Sequence, residues 1–153
     1  MTETETEKEK LNPETLLREG KTVSISPKGY SMYPLLIPGT DRVIIAPLTG
    51  KRLKKGDIAL FRRKESKLVL HRIVRVVKEP AGLSYYFCGD NQKEIEGPVS
   101  ETDICGKVTF IEKKKMKFSV RNPLYVLSVF VWMILRPVRP NISRFIARFK
   151  KVF

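Results

Sequence analysis

Between residues 21 and 115, short apolar or alternating stretches are separated by turn sequences rich in glycine, proline and aspartate. Stretches of this length and period predict β-strands rather than helices. The strands are spaced as expected for a small barrel or sandwich rather than for βαβ units, so we expect an antiparallel β-domain. The predicted strands are Thr22–Ser26, Arg42–Ala46, Asp57–Arg62, Leu68–Val77, Ser84–Cys88 and Ile104–Glu112.

A short helix is predicted immediately before the first strand. Asn12 is a favourable N-cap, Pro13 suits the first helical position and Gly20 is a typical stop. Leu16 and Leu17 should lie on its buried side. Residues 1–10, which alternate Thr and Glu before ending in Lys and Glu, predict a disordered tail without the apolar core of a secretory signal.

The end of the chain predicts two further helices. Asn122 and Pro123 should begin the first, in which Leu124–Leu135 is apolar except for Ser128. Twelve residues span about 18 Å as a helix, which is short of the roughly 30 Å hydrocarbon core of a bilayer. Residues 141–153 alternate phenylalanine and isoleucine with arginine and lysine at helical spacing, which predicts a basic amphipathic helix. The domain boundaries that follow are a tail at 1–10, a β-domain with its leading helix at 11–115 and a basic helical tail at 116–153.

The net charge of +14 is concentrated at the end of the chain, where residues 112–153 hold eleven basic side chains against one acidic. Such a segment is typical of an interfacial anchor on anionic lipid, with residues 122–153 at a membrane surface. The alternative, that both helices pack on the β-domain and cover a sheet edge, remains open. The phenylalanine-rich face fits lipid or core better than nucleic acid bases, so no nucleic acid partner is expected.

Cysteine and histidine are too sparse for a metal site. Cys88 and Cys105 lie in no CxxC motif, and the chain has one histidine, His71. These counts predict free thiols, no metal and no other cofactor.

Ser31 and His71 are the residues whose chemistry stands out. Ser31 lies in the turn Gly-Tyr-Ser-Met-Tyr-Pro, and His71 lies in the strand-like run Lys-Leu-Val-Leu-His-Arg-Ile-Val. A serine hydroxyl becomes an effective nucleophile when a neighbouring base takes its proton, and a neutral imidazole suits that task. The alternative interpretation is a simple turn serine and a half-buried structural histidine. In that case a lysine at 51, 54 or 55 would be the next candidate base.

Five short motifs occur in a characteristic order across residues 22–112. They are Gly29-Tyr-Ser-Met-Tyr-Pro-Leu35, Gly56-Asp-Ile58, His71-Arg72, Gly89-Asp-Asn91 and Asp103-Ile-Cys-Gly-Lys-Val108. In this order and spacing they resemble the motif boxes of the type I signal peptidase and self-cleaving repressor superfamily of serine peptidases. The pair His71-Arg72 resembles the archaeal and endoplasmic reticulum branch, which has a histidine base where bacterial members usually have lysine.

The resemblance implies a small antiparallel signal-peptidase-like β-barrel and a specific set of site residues. Ser31 would be the nucleophile, His71 the general base, and the backbone N–H of Ser31 an oxyanion donor. By spacing, Glu96 occupies the place of the aspartate that orients the histidine. Asp90 is the alternative for that role, since an aspartate in a Gly-Asp-Asn turn also caps loops.

We therefore expect a signal-peptidase-like serine endopeptidase that cleaves a preprotein or leader peptide through an acyl-enzyme. A non-catalytic barrel module that binds peptides or a membrane surface is the alternative. Because no signal or anchor is recognised in the N-terminal residues, we expect peripheral membrane association with the catalytic domain on the cytoplasmic side.

Overall fold

A computed structural model describes residues 12–50, 52–64, 67–114, 116–135 and 137–138. These residues form a mainly β structure with eight strands in one antiparallel sheet. The strands are β1 Val23–Ile25, β2 Asp41–Ala46, β3 Ile58–Arg63, β4 Lys67–Glu79, β5 Gly82–Cys88, β6 Glu96–Ser100, β7 Ile104–Lys113 and β8 Met116–Ser119. The helices are α1 Pro13–Arg18 and α2 Pro123–Ile134, with a 3-10 turn at Glu101–Asp103. The predicted tail at 1–10 and the predicted helix at 141–153 lie outside the described residues.

The strand order is β1-β2-β7-β3-β4-β5-β6, with β8 added to β7. The mainly β, antiparallel class is therefore confirmed, but the sheet is open rather than closed into a barrel. At one end of the sheet, Pro98 within β6 has no backbone N–H to donate to a further strand.

Two strands had no clear signal in the sequence. β6 carries Gly97 and Pro98, which usually argue against a strand, and β8 is a short polar segment. Because β8 pairs with β7, the sheet continues beyond residue 115, where the β-domain was expected to end. The chain divides into two compact units just after β8, Met1–Val120 and Arg121–Phe153.

The two helices begin where the sequence predicts. In α1, Oδ1 of Asn12 accepts a hydrogen bond from the Glu14 N–H at 3.0 Å, and Leu17 is buried. In α2, Oδ1 of Asn122 accepts from the Leu124 N–H at 2.9 Å, which satisfies a backbone donor at the helix start. Within the described part of the chain, no helix has the length and apolar character needed to cross a membrane.

The core of the first unit is built on an aromatic pair. Phe61 of β3 and Phe87 of β5 stack with ring centroids 4.2 Å apart, and both are almost fully buried. The β3–β4 register places Ala59 opposite His71, and the β4–β5 register places Ile73 opposite Phe87. Since side chains alternate between sheet faces, His71 lies on the core face of β4, with its ring 6.2 Å from that of Phe61.

Truncation of the aromatic pair should destabilise the fold. We expect Phe87→Ala to lower the free energy of unfolding by about 3–5 kcal/mol, because it opens a cavity against Phe61. Urea denaturation measures this loss. Phe110→Ala is the matched control: its side chain is 40% exposed, so its loss should be much smaller. Equal losses in the two variants would contradict this account of the core.

Candidate active site

A cleft of about 460 Å³ brings Ser31 and His71 to one surface of the first unit. Its walls come from the loop after β1 and from the first half of β4, with Pro13 of α1 at one side. The apolar side chains that line it include those of Ile25, Met32, Leu68, Val69 and Leu70. Polar and charged side chains line it as well, namely Ser26, Lys28, Arg63, Lys67 and Gln92, so the Ser31 hydroxyl and the His71 imidazole lie in a cleft of mixed character.

Ser31 lies in the loop between β1 and β2, which buried side chains fix on its C-terminal side. Met32 and Leu36 are 2% and 1% exposed, and the Leu36 N–H donates to the Met32 carbonyl at 2.9 Å. Gly29 has a φ of +79°, a conformation that residues with a Cβ rarely adopt. The loop thus turns at Gly29 and presents Ser31 at the cleft.

The Gly89-Asp90-Asn91 turn holds the Ser31 backbone from the other side. The Asn91 N–H donates to the Ser31 carbonyl at 2.7 Å. A Cβ added at Gly89 would lie 2.6 Å from the same carbonyl oxygen, so this approach requires glycine. No described residue accepts a hydrogen bond from the Ser31 N–H, which leaves that donor available to a substrate oxyanion.

His71 is buried, with only 3% of its surface exposed. Burial lowers the pKa of His71 below its ordinary value of 6.5, because the charged imidazolium loses hydration. Glu96 and Asp90 oppose this shift and raise the pKa of His71, whereas the Arg63 guanidinium lowers it further. The net direction is downward, so His71 is neutral at pH 7 and able to accept a proton.

Glu96, the first residue of β6, is the carboxylate beside His71. Its Oε1 lies 3.1 Å from Nδ1 of His71, although the direction of the ring N–H does not meet hydrogen-bond geometry. Arg63 of β3 holds the same carboxylate: its Nε donates to Oε2 at 2.8 Å and its Nη2 donates to Oε1. Glu96 therefore sits between the imidazole and a guanidinium.

Asp90 faces Arg72 instead. Nε of Arg72 donates to Oδ1 of Asp90 at 2.8 Å and Nη2 donates to Oδ2 at 2.7 Å, while Nη1 donates to the Gly56 carbonyl at 2.8 Å. Both side chains are buried, at 2% and 4% exposure. Of the two candidate carboxylates, the structure thus places Glu96 next to His71 and engages Asp90 with a cation.

Of the four candidate site residues, Ser31 and His71 line the cleft, and Glu96 lies next to His71 without lining the cleft itself. Although Ser31 and His71 both line the cleft, no hydrogen bond joins them among the described residues. Apo hydroxyl and imidazole groups commonly make their catalytic hydrogen bond only when substrate is bound.

Arg63 and Arg72 were not recognised as site residues from the sequence. Arg63 lies in the run Arg-Arg-Lys, where nothing distinguishes it from a solvated cation. Arg72 directly follows His71 in the apolar strand β4. A charged residue at that position was a usable signal in the sequence, because few positions of such a strand are solvated. Charged residues in such strands need a partner.

Other candidate groups lie elsewhere or are poorly suited. Lys54 and Lys55 do not line the cleft, and Lys51 lies outside the described residues. Burial raises the pKa of Cys105 to about 11, which disfavours its thiolate. In the described part of the chain, no three His, Cys, Asp or Glu side chains cluster in a way that could hold a metal ion.

A scan of the chain against protein-family models gives no match, and a search of curated protein sequences gives none either.

Removal of the buried guanidinium should cost much of the stability. We expect Arg72→Met to lower the free energy of unfolding by about 3–5 kcal/mol, because it leaves the Asp90 carboxylate buried without this cation. Denaturant titration checks the loss. Arg75→Met is the control: Arg75 lies on the same strand, exposed over the Tyr86 ring, and its removal should cost about 1 kcal/mol or less. A similarly small loss of unfolding free energy in both variants would refute the structural role of the Arg72–Asp90 pair.

Proposed function

We propose that the chain is a signal-peptidase-like serine endopeptidase that cleaves a preprotein or leader peptide. One observation carries this proposal: the fold brings Ser31 and a neutral, buried His71 to one cleft, and the Gly-Asp-Asn turn binds the serine backbone. Three motifs that are far apart in sequence thereby form one site. By resemblance, the substrate has small residues before the scissile bond.

The proposed chemistry is acyl transfer in two steps. Oγ of Ser31 attacks the scissile carbonyl as His71 takes its proton, and the N–H of Ser31 stabilises the oxyanion. His71 then gives the proton to the leaving amine, which leaves an ester on Ser31. A water molecule, deprotonated by His71, hydrolyses the ester and frees the enzyme. Glu96 orients the imidazole and stabilises its protonated form.

We propose that a peptide substrate binds along the backbone of β4. The first part of the strand, Lys67–Leu70, pairs with β3, whereas β5 pairs with β4 only from Arg72 onwards in the described structure. The side of Lys67–Leu70 that faces away from β3 therefore has no β5 partner, and these residues line the cleft next to His71. An extended peptide can add to such an edge through main-chain hydrogen bonds.

Cleavage of candidate leader peptides tests the catalytic pair. We expect Ser31→Ala and His71→Ala each to lower the cleavage rate by about 10³-fold or more, because nucleophile and base act as a unit. Mass spectrometry of the products measures it. Ser26→Ala is the matched control: its hydroxyl also lies at the cleft but donates to the Asp41 carbonyl, so cleavage should persist.

Undiminished cleavage in either catalytic variant would exclude the proposed pair. Peptide binding without cleavage by the wild type would instead support the non-catalytic binding module.

We also propose that residues 122–153 bind a membrane surface. α2 exposes Leu124, Leu127, Phe130 and Ile134, each at 57% or more. Residues 121–153 carry seven basic and no acidic side chains. Apolar side chains next to a uniformly basic segment are typical of binding at an anionic interface.

Vesicle flotation tests the membrane proposal on the full chain. We expect Leu127→Asp with Phe130→Asp to reduce binding to anionic vesicles by at least about tenfold, since two apolar side chains no longer insert. Met116→Asp, at a residue 66% exposed in the first unit, should bind like the wild type. Equal binding by all three proteins, or equal binding to neutral vesicles, would rule out this anchor.

A further inference from the structure

We propose that Arg63 is a positioning residue, which holds Glu96 in place against His71 and so acts on the general base through the carboxylate. This inference rests on the proposed function for its catalytic consequence. The arrangement itself is independent of activity, because it joins three side chains from three strands of the sheet.

The register of the sheet explains how the three side chains meet. Arg63 lies opposite Lys67, four residues from the pair Ala59 and His71, so Arg63 and His71 project from the same face. Glu96 lies opposite Phe87, whose ring stacks on Phe61 on that face. On this shared face the Arg63 guanidinium of β3 contacts the Glu96 carboxylate of β6, next to the imidazole of β4.

A glutamate needs such a partner more than an aspartate does. Its additional methylene adds a rotatable bond, so an unrestrained Glu96 would spread over several rotamers. The planar guanidinium of Arg63 donates to both carboxylate oxygens, which selects one rotamer. In that rotamer, Oε1 lies 3.1 Å from Nδ1 of His71.

The charges around His71 show what else Arg63 does. Glu96 of β6 and Asp90 of the turn after β5 both raise the pKa of His71, and Arg63 of β3 lowers it. Asp90 is already paired with Arg72. Lys28 and Lys67 are further cations on the cleft wall. Arg63 thus offsets the charge of the carboxylate it holds and favours a neutral base.

A simple surface ion pair would behave differently. The side chains of Arg63 and Glu96 are 42% and 25% exposed, and pairs with this exposure contribute only about 0–1 kcal/mol to stability. Arg63 also lowers the pKa of His71 directly through its charge, with or without Glu96. A positioning role therefore shows in how far the effect of Arg63 on the titration of His71 depends on Glu96. The titration is therefore the decisive measurement.

His71 is the single histidine of the chain, so one imidazole resonance in an NMR titration reports its protonation. Arg63→Gln removes the cation that lowers the pKa of His71, which by itself moves the midpoint to higher pH. It also frees Glu96, and a Glu96 that no longer lies against His71 raises that pKa less. We therefore expect Arg63→Gln to move the midpoint upward less in the wild-type background than in Glu96→Gln, where only the direct effect of the cation remains. Arg62→Gln is the matched control, because Arg62 pairs with Glu14 and Asp103 rather than Glu96. Its midpoint should equal that of the wild type.

Kinetics on the same variants test the catalytic consequence. We expect Arg63→Gln to lower kcat roughly 10- to 100-fold, as for a misplaced catalytic group. Arg63→Lys should restore part of the rate. In a Glu96→Gln background, Arg63→Gln should have a much smaller effect, because a residue acting through Glu96 is not additive with it.

Equal shifts of the His71 midpoint by Arg63→Gln in the wild-type and Glu96→Gln backgrounds, or full additivity of the two substitutions in kcat, would overturn the proposal. Wild-type protein that cleaves no peptide would overturn the proposed function instead, and the NMR titration would still decide whether Arg63 acts on His71.

Discussion

The ion pair between Arg72 and Asp90 is the interaction on which the site depends. Its three participants come from separate parts of the chain: Arg72 from strand β4, Asp90 from the Gly-Asp-Asn turn and the Gly56 carbonyl from before β3. Two charges at 2% and 4% exposure are tolerated only because each satisfies the other. The turn held in this way supplies the Asn91 N–H that binds the Ser31 carbonyl. A buried charge pair thus sets the position of the proposed nucleophile.

The two candidate carboxylates differ through their environments rather than their chemistry. Asp90 is buried and engaged by a guanidinium, so its influence on His71 is electrostatic. Glu96 is partly exposed, and its carboxylate lies beside both Nδ1 of His71 and the Arg63 guanidinium. Burial of the imidazole outweighs both carboxylates, and the pKa of His71 falls. The site is therefore arranged to keep the proposed base neutral, as proton abstraction at neutral pH requires.

Much of the fold could be predicted from local patterns. The six strands expected from apolar alternation and the helices capped by Asn12 and Asn122 are all present. β6 escaped prediction because Gly97 and Pro98 disfavour strands locally, yet pairing with β5 outweighs that preference. Closure of the sheet was expected from the resemblance, but the end strands, Val23–Ile25 and Glu96–Ser100, do not pair with each other. Local apolar alternation predicts strands but not which distant strands pair.

The sequence by itself determined which groups could do chemistry: one serine in a glycine turn, one histidine in an apolar strand and two acids at a set spacing. Only the tertiary structure decided their arrangement. Register places Arg63, His71 and Glu96 on one face, and burial pairs Asp90 with Arg72. The physical reason is that composition and spacing are local, whereas hydration, charge pairing and proximity depend on which strands become neighbours.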